Sequence, residues 1–220
     1  MIPLPDFTKP FEHENDFYLT SDPQRIAKFV AHYELFKMSE GVPGDIIECG
    51  VFKGSSFIRF ATFREMSEKS HQKTMVGFDT FGTFPSTTGV ADQRARDEWV
   101  KSAGDQSISA EQLKEVLSRK KLWHEVKLVE GDVTVTIPKF IAENPQLKIS
   151  LLNLDTDFYE PAVVILRYLY PLIAKGGILL LDDYGVFPGE TKAVDDYLAG
   201  RDVVIQSFDF IGTPKFVVKS

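Results

Sequence analysis

The sequence predicts an α/β protein built on one doubly wound, mostly parallel sheet with helices on both faces. Short apolar runs alternate with amphipathic stretches along the 220 residues, a pattern typical of parallel strands joined by crossover helices. Most of these runs end in or just before an acidic residue or a glycine, as strands that lead to a ligand-binding edge do. We expect seven strands, with an antiparallel strand at the C-terminus, in a single domain spanning residues 1–220.

The apolar runs and the amphipathic stretches give the order of the elements. Parallel strands are expected at 45–49, 74–78, 126–130, 149–154 and 178–181. Helices are expected at 23–39, 55–67, 110–118, 137–143, 161–173 and 191–198. Two further runs, at 203–208 and 215–218, flank a turn with glycine and proline at 212–214, which predicts a final antiparallel pair.

Two segments stand outside this alternation. Residues 1–43 form an N-terminal helical extension, in which Ser21 or Asp22 can cap the helix that opens at Pro23. Residues 82–109 combine Pro85, glycines and mixed charges without a long periodic stretch. Long loops in compact domains are more often functional than idle, so we predict a lid insertion with a short helix at 92–101. A surface excursion is the alternative.

Composition disfavours several classes of protein. A formal net charge of -7 disfavours nucleic-acid binding, because lysine and arginine supply most nonspecific affinity for phosphates. Residues 1–9 lack the basic and apolar regions of a signal peptide, and no apolar run approaches the roughly 20 residues of a membrane span. Cys49 is the single cysteine, which fits a reducing compartment. We expect a cytoplasmic protein that binds neither nucleic acid nor membrane.

A glycine turn follows the first strand and opens the next helix. Gly50 and Gly54 allow positive φ and a close approach of the backbone to a ligand, although many such turns need glycine for steric reasons only. Asp79 ends the next strand, where an open α/β nucleotide site places a carboxylate for ribose hydroxyls. The alternative is that Asp79 caps the following segment. Asp132, after the third strand, can accept a hydrogen bond from an adenine amino group or cap the helix near 137.

Acidic pairs follow the fourth and fifth strands. Asp155 and Asp157 end one strand, and Asp182 and Asp183 end the other. Neighbouring strands would bring all four carboxylates to one crevice, where they must either protonate or share a cation. Oxygen ligands suit Mg²⁺ or Ca²⁺, so we predict a metal site. Helix capping or a solvated turn is the alternative.

Four motifs together resemble a known family. They are ECGVFKGSS (48–56), FDTFGTFP (78–85), LDTDFYEP (154–161) and LDDYG (181–185). Over residues 44–196 the chain resembles the macrocin O-methyltransferases, which methylate sugar hydroxyls in antibiotic pathways. The resemblance implies a Rossmann-like, class I fold that uses S-adenosylmethionine and a divalent metal such as Mg²⁺.

The resemblance also implies site residues. It implies that Asp155, Asp182 and Asp183 bind the metal and that Asp155 is the base. Asp157 shares a strand face with Asp155 by its spacing of two residues, and we expect it to support the ligands without being one. We assign S-adenosylmethionine to six residues of the motifs and of the third strand end: Glu48, Gly50, Gly54, Ser55, Asp79 and Asp132. The four histidines, His13, His32, His71 and His124, are left out of the site.

The length of the chain and the resemblance lead to expectations about the acceptor and the assembly, and two other functions are alternatives. The chain is shorter than typical antibiotic-pathway members, which suggests a small acceptor such as a free or nucleotide-linked sugar. The resemblance suggests a homo-oligomer. An NAD(P)-dependent Rossmann oxidoreductase is one alternative, although the turn is not a clean G-x-G-x-x-G and hydride transfer has no use for the acidic pairs. A noncatalytic module that binds S-adenosylmethionine is the other.

Overall fold

The computed structural model describes residues 1–87 and 89–220. Its strands are β1 (Asp45–Cys49), β2 (Met75–Asp79), β3 (Val126–Glu130), β4 (Ile149–Leu154), β5 (Ile173–Leu181) and β6 (Lys215–Val218). Its helices are α1 (Pro10–Thr20), α2 (Pro23–Ser39), α3 (Ser55–Met66), α4 (Val90–Ala103), α5 (Ala110–Arg119), α6 (Val133–Glu143), α7 (Tyr159–Tyr168) and α8 (Pro188–Leu198).

The six strands form one sheet in the order β3-β2-β1-β4-β5-β6. Strands β1 to β5 are parallel, and β6 runs antiparallel to β5. The predicted doubly wound, mostly parallel sheet is therefore confirmed. The strand order reverses between β1 and β4, and open α/β sheets bind ligands in the crevice at such a switch point.

The expected seventh strand at 203–208 is not formed. Only Gln206 pairs, in an isolated antiparallel bridge to Phe216 with N–H···O distances of 2.8 and 3.0 Å. Phe208 stacks its ring on that of Phe216 at 5.2 Å, so the segment packs through a side chain rather than through a ladder. Val204 stays 69% exposed. Val203, Ile205 and Phe208 nevertheless pack as partly buried side chains against the apolar core, so side-chain contacts and not a strand ladder hold this segment.

Several helix bounds also differ from the prediction, for local reasons. Helix α6 begins at Val133 rather than near 137, because Asp132 caps it and accepts the Thr134 N–H at 2.8 Å. Helix α7 ends at Tyr168, before a 3₁₀ turn that contains Pro171. Helix α1 lies within the helical extension expected at 1–43, but no separate helix was predicted there, and it buries no residue. Within the described residues, no helix has both the length and the apolar character needed to cross a bilayer.

The sheet separates two apolar clusters. Neighbouring residues of β1 point to opposite faces, so Ile47 and Cys49 join one cluster while Ile46 joins the other. Every residue of β4 is buried, as expected for a central strand covered on both faces. These two clusters hold the strands in place, and the strand ends therefore present their polar residues at fixed positions.

Candidate active site

A cavity of about 650 Å³ opens at the carboxyl ends of the parallel strands, where the strand order reverses. All of the predicted site residues line it except Glu48 and Gly54. Glu48 lies behind the cavity, where the Ser56 hydroxyl donates a hydrogen bond of 2.8 Å to its carboxyl, and burial raises the pKa of that carboxyl to about 8. Gly54 is the N-cap of α3, next to Ser55 in the cavity wall.

The glycine turn packs directly on the end of β4. Gly50 has φ of +93°, and a Cβ at this position would lie 1.7 Å from the backbone oxygen of Asp155. Gly54 has φ of +82°, and its N–H donates to the Val51 carbonyl at 2.8 Å. Both glycines have the positive φ that the sequence predicted. At Gly50, however, the close approach is to the backbone that carries Asp155, so the turn and the acidic cluster are positioned together.

Asp79 holds the same turn through backbone hydrogen bonds. Its Oδ2 accepts the N–H groups of Val51 and Phe52 at 2.8 and 2.9 Å, and its Oδ1 accepts that of Phe81 at 2.7 Å. Burial raises the pKa of Asp79, while these three donors act in the opposite direction. The capping alternative is therefore present in the structure. These three hydrogen bonds do not use every acceptor site of an ionised carboxylate, so Asp79 can still accept from a ribose hydroxyl. That contact stays a prediction.

Asp132 likewise serves the local fold. Its Oδ1 accepts the backbone N–H of Thr134 at 2.8 Å and the Thr134 hydroxyl at 2.7 Å, which caps α6. The residue also lines the cavity. The N-cap alternative is thus present, and the contact with adenine stays a prediction.

Acidic side chains converge at the ends of β4 and β5, as the sequence predicted. One carboxylate oxygen from each of Asp155, Asp157 and Asp183 lies within 4.8 Å of the others. Burial raises the pKa of Asp155 well above its usual range, and the charges of Asp182 and Asp183 raise it further. Burial and Asp183 do the same for Asp157. The cluster therefore carries repulsion that a cation would relieve.

Asp182 belongs to the same crevice but has its own cationic neighbour. The Lys28 ammonium donates to Asp182 Oδ2, and His32 Nε2 lies 3.2 Å from Oδ1. Burial opposes ionisation of Asp182, but Lys28 and His32 outweigh it and hold the pKa of this carboxyl below its usual range. Lys28 therefore offsets part of the negative charge of the cluster.

His32 lines the cavity, although the sequence interpretation left it out of the site. Its side chain is fully buried, and burial lowers the pKa of the ring. Arg59 Nη1 lies 3.1 Å from His32 Nδ1. A guanidinium only donates, so Nδ1 accepts and the proton on Nε2 points to Asp182. Arg59 and His32 together orient the Asp182 carboxylate.

Glu190 is a second residue without a sequence signal. This fully buried carboxylate in α8 accepts the N–H groups of Thr156 and Asp157 through Oε2, at 3.2 and 3.3 Å. Its Oε1 accepts the N–H of Asp183 at 3.3 Å. Burial raises the pKa of Glu190 well above its usual range. Glu190 ties the ends of β4 and β5 together beneath the acidic cluster.

Comparison with known proteins assigns the chain to a family. Residues 23–213 match the model of the macrocin-O-methyltransferase (TylF) family. The chain belongs to this family. The resemblance inferred from the four motifs and the Rossmann-like class of the fold are both confirmed.

Curated relatives in the family act on natural products. The chain is 27% identical to the 8-demethyl-8-(2,3-dimethoxy-α-L-rhamnosyl)-tetracenomycin-C 4′-O-methyltransferase of Streptomyces olivaceus, over 73% of this chain and 60% of the relative. It is 28% identical to the mycinamicin III 3″-O-methyltransferase of Micromonospora griseorubida, over 73% of this chain and 62% of the relative. The chain thus spans about three fifths of the length of these relatives.

A solved structure extends the likeness over nearly the whole chain. CalS11, a calicheamicin methyltransferase, superposes with a TM-score of 0.80 at 28% identity, covering 96% of this chain and 86% of its own. The apo form of CalS11, described as a TDP-rhamnose 3′-O-methyltransferase, gives a TM-score of 0.71 at 27% identity, with 97% and 87% covered.

Proposed function

We propose that this protein is an S-adenosylmethionine-dependent and divalent-metal-dependent O-methyltransferase that acts on a hydroxyl of a sugar or of a glycosylated natural product. The observation that carries the proposal is that the acidic cluster and the glycine turn line one cavity and touch through Gly50 and Asp155. Membership of the family supports it. A rhamnose unit in the names of two relatives favours a deoxysugar acceptor, free, nucleotide-linked or already attached.

The donor chemistry of the cluster fits a hard cation. The crevice holds four carboxylates. Among the described residues, the cationic side chain that contacts this group is Lys28, which donates to Asp182, so the carboxylates outnumber the cation. We propose that Asp155, Asp182 and Asp183 hold Mg²⁺ or another hard divalent ion. A carboxylate oxygen of Asp157 lies within 4.8 Å of one of Asp183, close enough for Asp157 to orient that ligand. A bound cation of this kind polarises a hydroxyl and makes its deprotonation easier.

The side chains around the cluster would each contribute to the transfer. Asp155, whose pKa burial raises, would accept the proton of the acceptor hydroxyl through a carboxylate oxygen. Glu190 fixes the backbone at Asp157 and Asp183, and His32 fixes Asp182. Methyl transfer from a sulfonium requires mainly in-line placement of the acceptor oxygen, so rigid positioning supplies much of the rate. The lid at 82–109 would exclude water, since Phe84 and Trp99 line the cavity.

Ligand binding and metal dependence test this function. We expect calorimetry to show binding of S-adenosylhomocysteine but not of NADH, and methyl transfer to nucleotide sugars or glycosylated products to require Mg²⁺. Chelation should lower the rate by about 10²-fold or more, because metal polarisation contributes several kcal/mol. Binding of NADH alone would favour the oxidoreductase alternative. Donor binding without turnover on a broad acceptor panel would favour the noncatalytic module.

The choice of third ligand has a separate test in two matched variants. Asp182→Asn is expected to raise the Mg²⁺ concentration for half-maximal activity by about 100-fold, and Asp157→Asn by about 10-fold, as for a residue that acts through a ligand. Affinity for S-adenosylhomocysteine should stay near that of the wild type in both variants. The glycine turn that we expect to bind this ligand follows β1, whereas the substituted residues follow β4 and β5. The reverse order of effects would make Asp157 the ligand in place of Asp182.

A further inference from the structure

A second group of metal-ligating side chains lies away from the cavity. Glu65 is in the last turn of α3, His71 lies between α3 and β2, and His124 lies between α5 and β3. Both connecting segments lead into the amino ends of their strands, whereas the cavity is at the carboxyl ends. We call these three residues the Glu-His cluster. It is separate from the acidic cluster and does not depend on the proposed function.

The ligand atoms of the Glu-His cluster already have the spacing of a metal site. Glu65 Oε2 lies 3.5 Å from His71 Nδ1 and 3.7 Å from His124 Nδ1. One ligand atom from each residue lies within 4.8 Å of the other two. Tetrahedral coordination at Zn–N and Zn–O distances of about 2.1 Å keeps ligand atoms about 3.4 Å apart. Small side-chain rotations would therefore complete the coordination.

The tautomer of His124 suits metal binding. Its Nε2 lies 3.3 Å from the backbone oxygen of His71. A carbonyl oxygen only accepts hydrogen bonds, so Nε2 carries the proton and the neutral ring keeps its lone pair on Nδ1, the atom that faces Glu65. A ring N–H bonded to a backbone carbonyl is the usual way in which proteins orient a metal-binding histidine.

Arg64 holds the two connecting segments in place. Its side chain is fully buried, and it donates to four backbone carbonyls. The acceptors are the carbonyl oxygens of Lys73, Leu122, His124 and Glu125, at 3.1, 3.2, 2.7 and 3.1 Å. The backbone beside both histidines is thus anchored to α3, the helix that carries Glu65. A preorganised site loses less entropy when it binds an ion.

We propose that the Glu-His cluster is a binding site for a borderline transition-metal ion, and specifically for Zn²⁺. Two imidazoles with one carboxylate favour Zn²⁺ over Mg²⁺ or Ca²⁺, which prefer oxygen ligands throughout. The side chains are 35–42% exposed, which leaves room for water as a fourth ligand. A bound ion would link the α3–β2 and α5–β3 segments and stabilise the folded chain, since it binds that state preferentially.

Calorimetric titration of the tag-free full-length chain with Zn²⁺, at saturating Mg²⁺, tests the proposal. We expect His71→Ala/His124→Ala to bind one Zn²⁺ fewer than the wild type, and Glu65→Gln to weaken that site by about 10-fold or more. Thermal unfolding without Zn²⁺ reports whether each variant folds. The control is His13→Ala, which removes an exposed histidine from the N-terminal segment and should leave the titration unchanged.

Cobalt supplies an independent measurement. Co²⁺ in a tetrahedral site with nitrogen ligands has visible ligand-field bands, which we expect in the wild type and in His13→Ala but not in the double variant. Added Mg²⁺ should not abolish these bands, because it does not compete well for imidazole. Identical Zn²⁺ titrations for the wild type and the double variant would overturn the proposal, as would an equal loss of Zn²⁺ in His13→Ala.

Discussion

Asp155→Asn is expected to lower the kcat of methyl transfer by about 10²–10⁴-fold, the range for loss of a general base. The amide keeps the shape of the side chain but does not accept a proton from a hydroxyl at neutral pH. Affinity for S-adenosylhomocysteine should remain near that of the wild type, because Gly50 contacts the backbone oxygen of Asp155 and not its carboxylate. Single-turnover kinetics with saturating donor and acceptor measure the effect.

The same variant also loses a proposed metal ligand, so the measurement must separate the two roles. We expect saturating Mg²⁺ to leave the kcat of Asp155→Asn low, whereas it should largely restore Asp182→Asn. The matched control is Asp196→Asn, at a half-exposed position in α8 where the carboxylate contacts Lys192 and Tyr159. Its kcat should not change. Full recovery of Asp155→Asn in excess Mg²⁺ would assign the base to another group.

Local pattern was enough to predict most of the fold. Strands β1, β3 and β4 have the bounds expected from their apolar runs. The central strands β1 and β4 are buried almost throughout, as expected for parallel strands covered on both faces, whereas β3 is an edge strand whose residues are partly buried or exposed. The segment at 203–208 has a similar composition but pairs only at Gln206. Pairing at a sheet edge depends on how a segment meets the strand beside it, and local periodicity does not report that geometry. Helix α1 was missed because its sequence has no apolar stripe to bury.

Some contacts of the candidate site could be predicted from the order of the strands, and others could not. The meeting of Asp155 with Asp183 follows from a topological rule, since ends of adjacent parallel strands share one edge of the sheet. His32 reaches Asp182 across 150 residues of sequence, and only the docking of α2 against the sheet end makes that contact. Lys28 and His32 stand four residues apart on one face of α2, which is a weak signal of a shared target. Nothing in the sequence says which target that is.

The Glu-His cluster could not be predicted from the sequence. His71 and His124 are 53 residues apart, and neither stands at metal-ligand spacing from another ligand in the sequence. Their convergence depends on Arg64, whose hydrogen bonds to two separate connecting segments have no sequence signature. Neither histidine is in the cavity lining, because both lie near the amino ends of the strands.

Gly50→Ala is expected to cost more than about 4 kcal/mol of folding free energy, a loss reserved for severe core or backbone defects. The new Cβ would lie 1.7 Å from the Asp155 oxygen, which is backbone and has no rotamer to adopt. The positive φ of +93° adds strain of about 1–3 kcal/mol for a residue with a side chain. Urea unfolding followed by circular dichroism measures the loss. Typical domains have only about 5–15 kcal/mol to lose.

Gly200→Ala separates backbone strain from collision. Gly200 also has a positive φ, +73°, but a Cβ there meets no atom within 4 Å, so the variant should lose only about 1–2 kcal/mol. The difference between the two variants therefore measures how tightly the glycine turn packs on β4. Equal losses would mean that the turn relaxes away from Asp155 without penalty, and the cavity would then lack the rigid link between donor turn and acidic cluster on which in-line transfer depends.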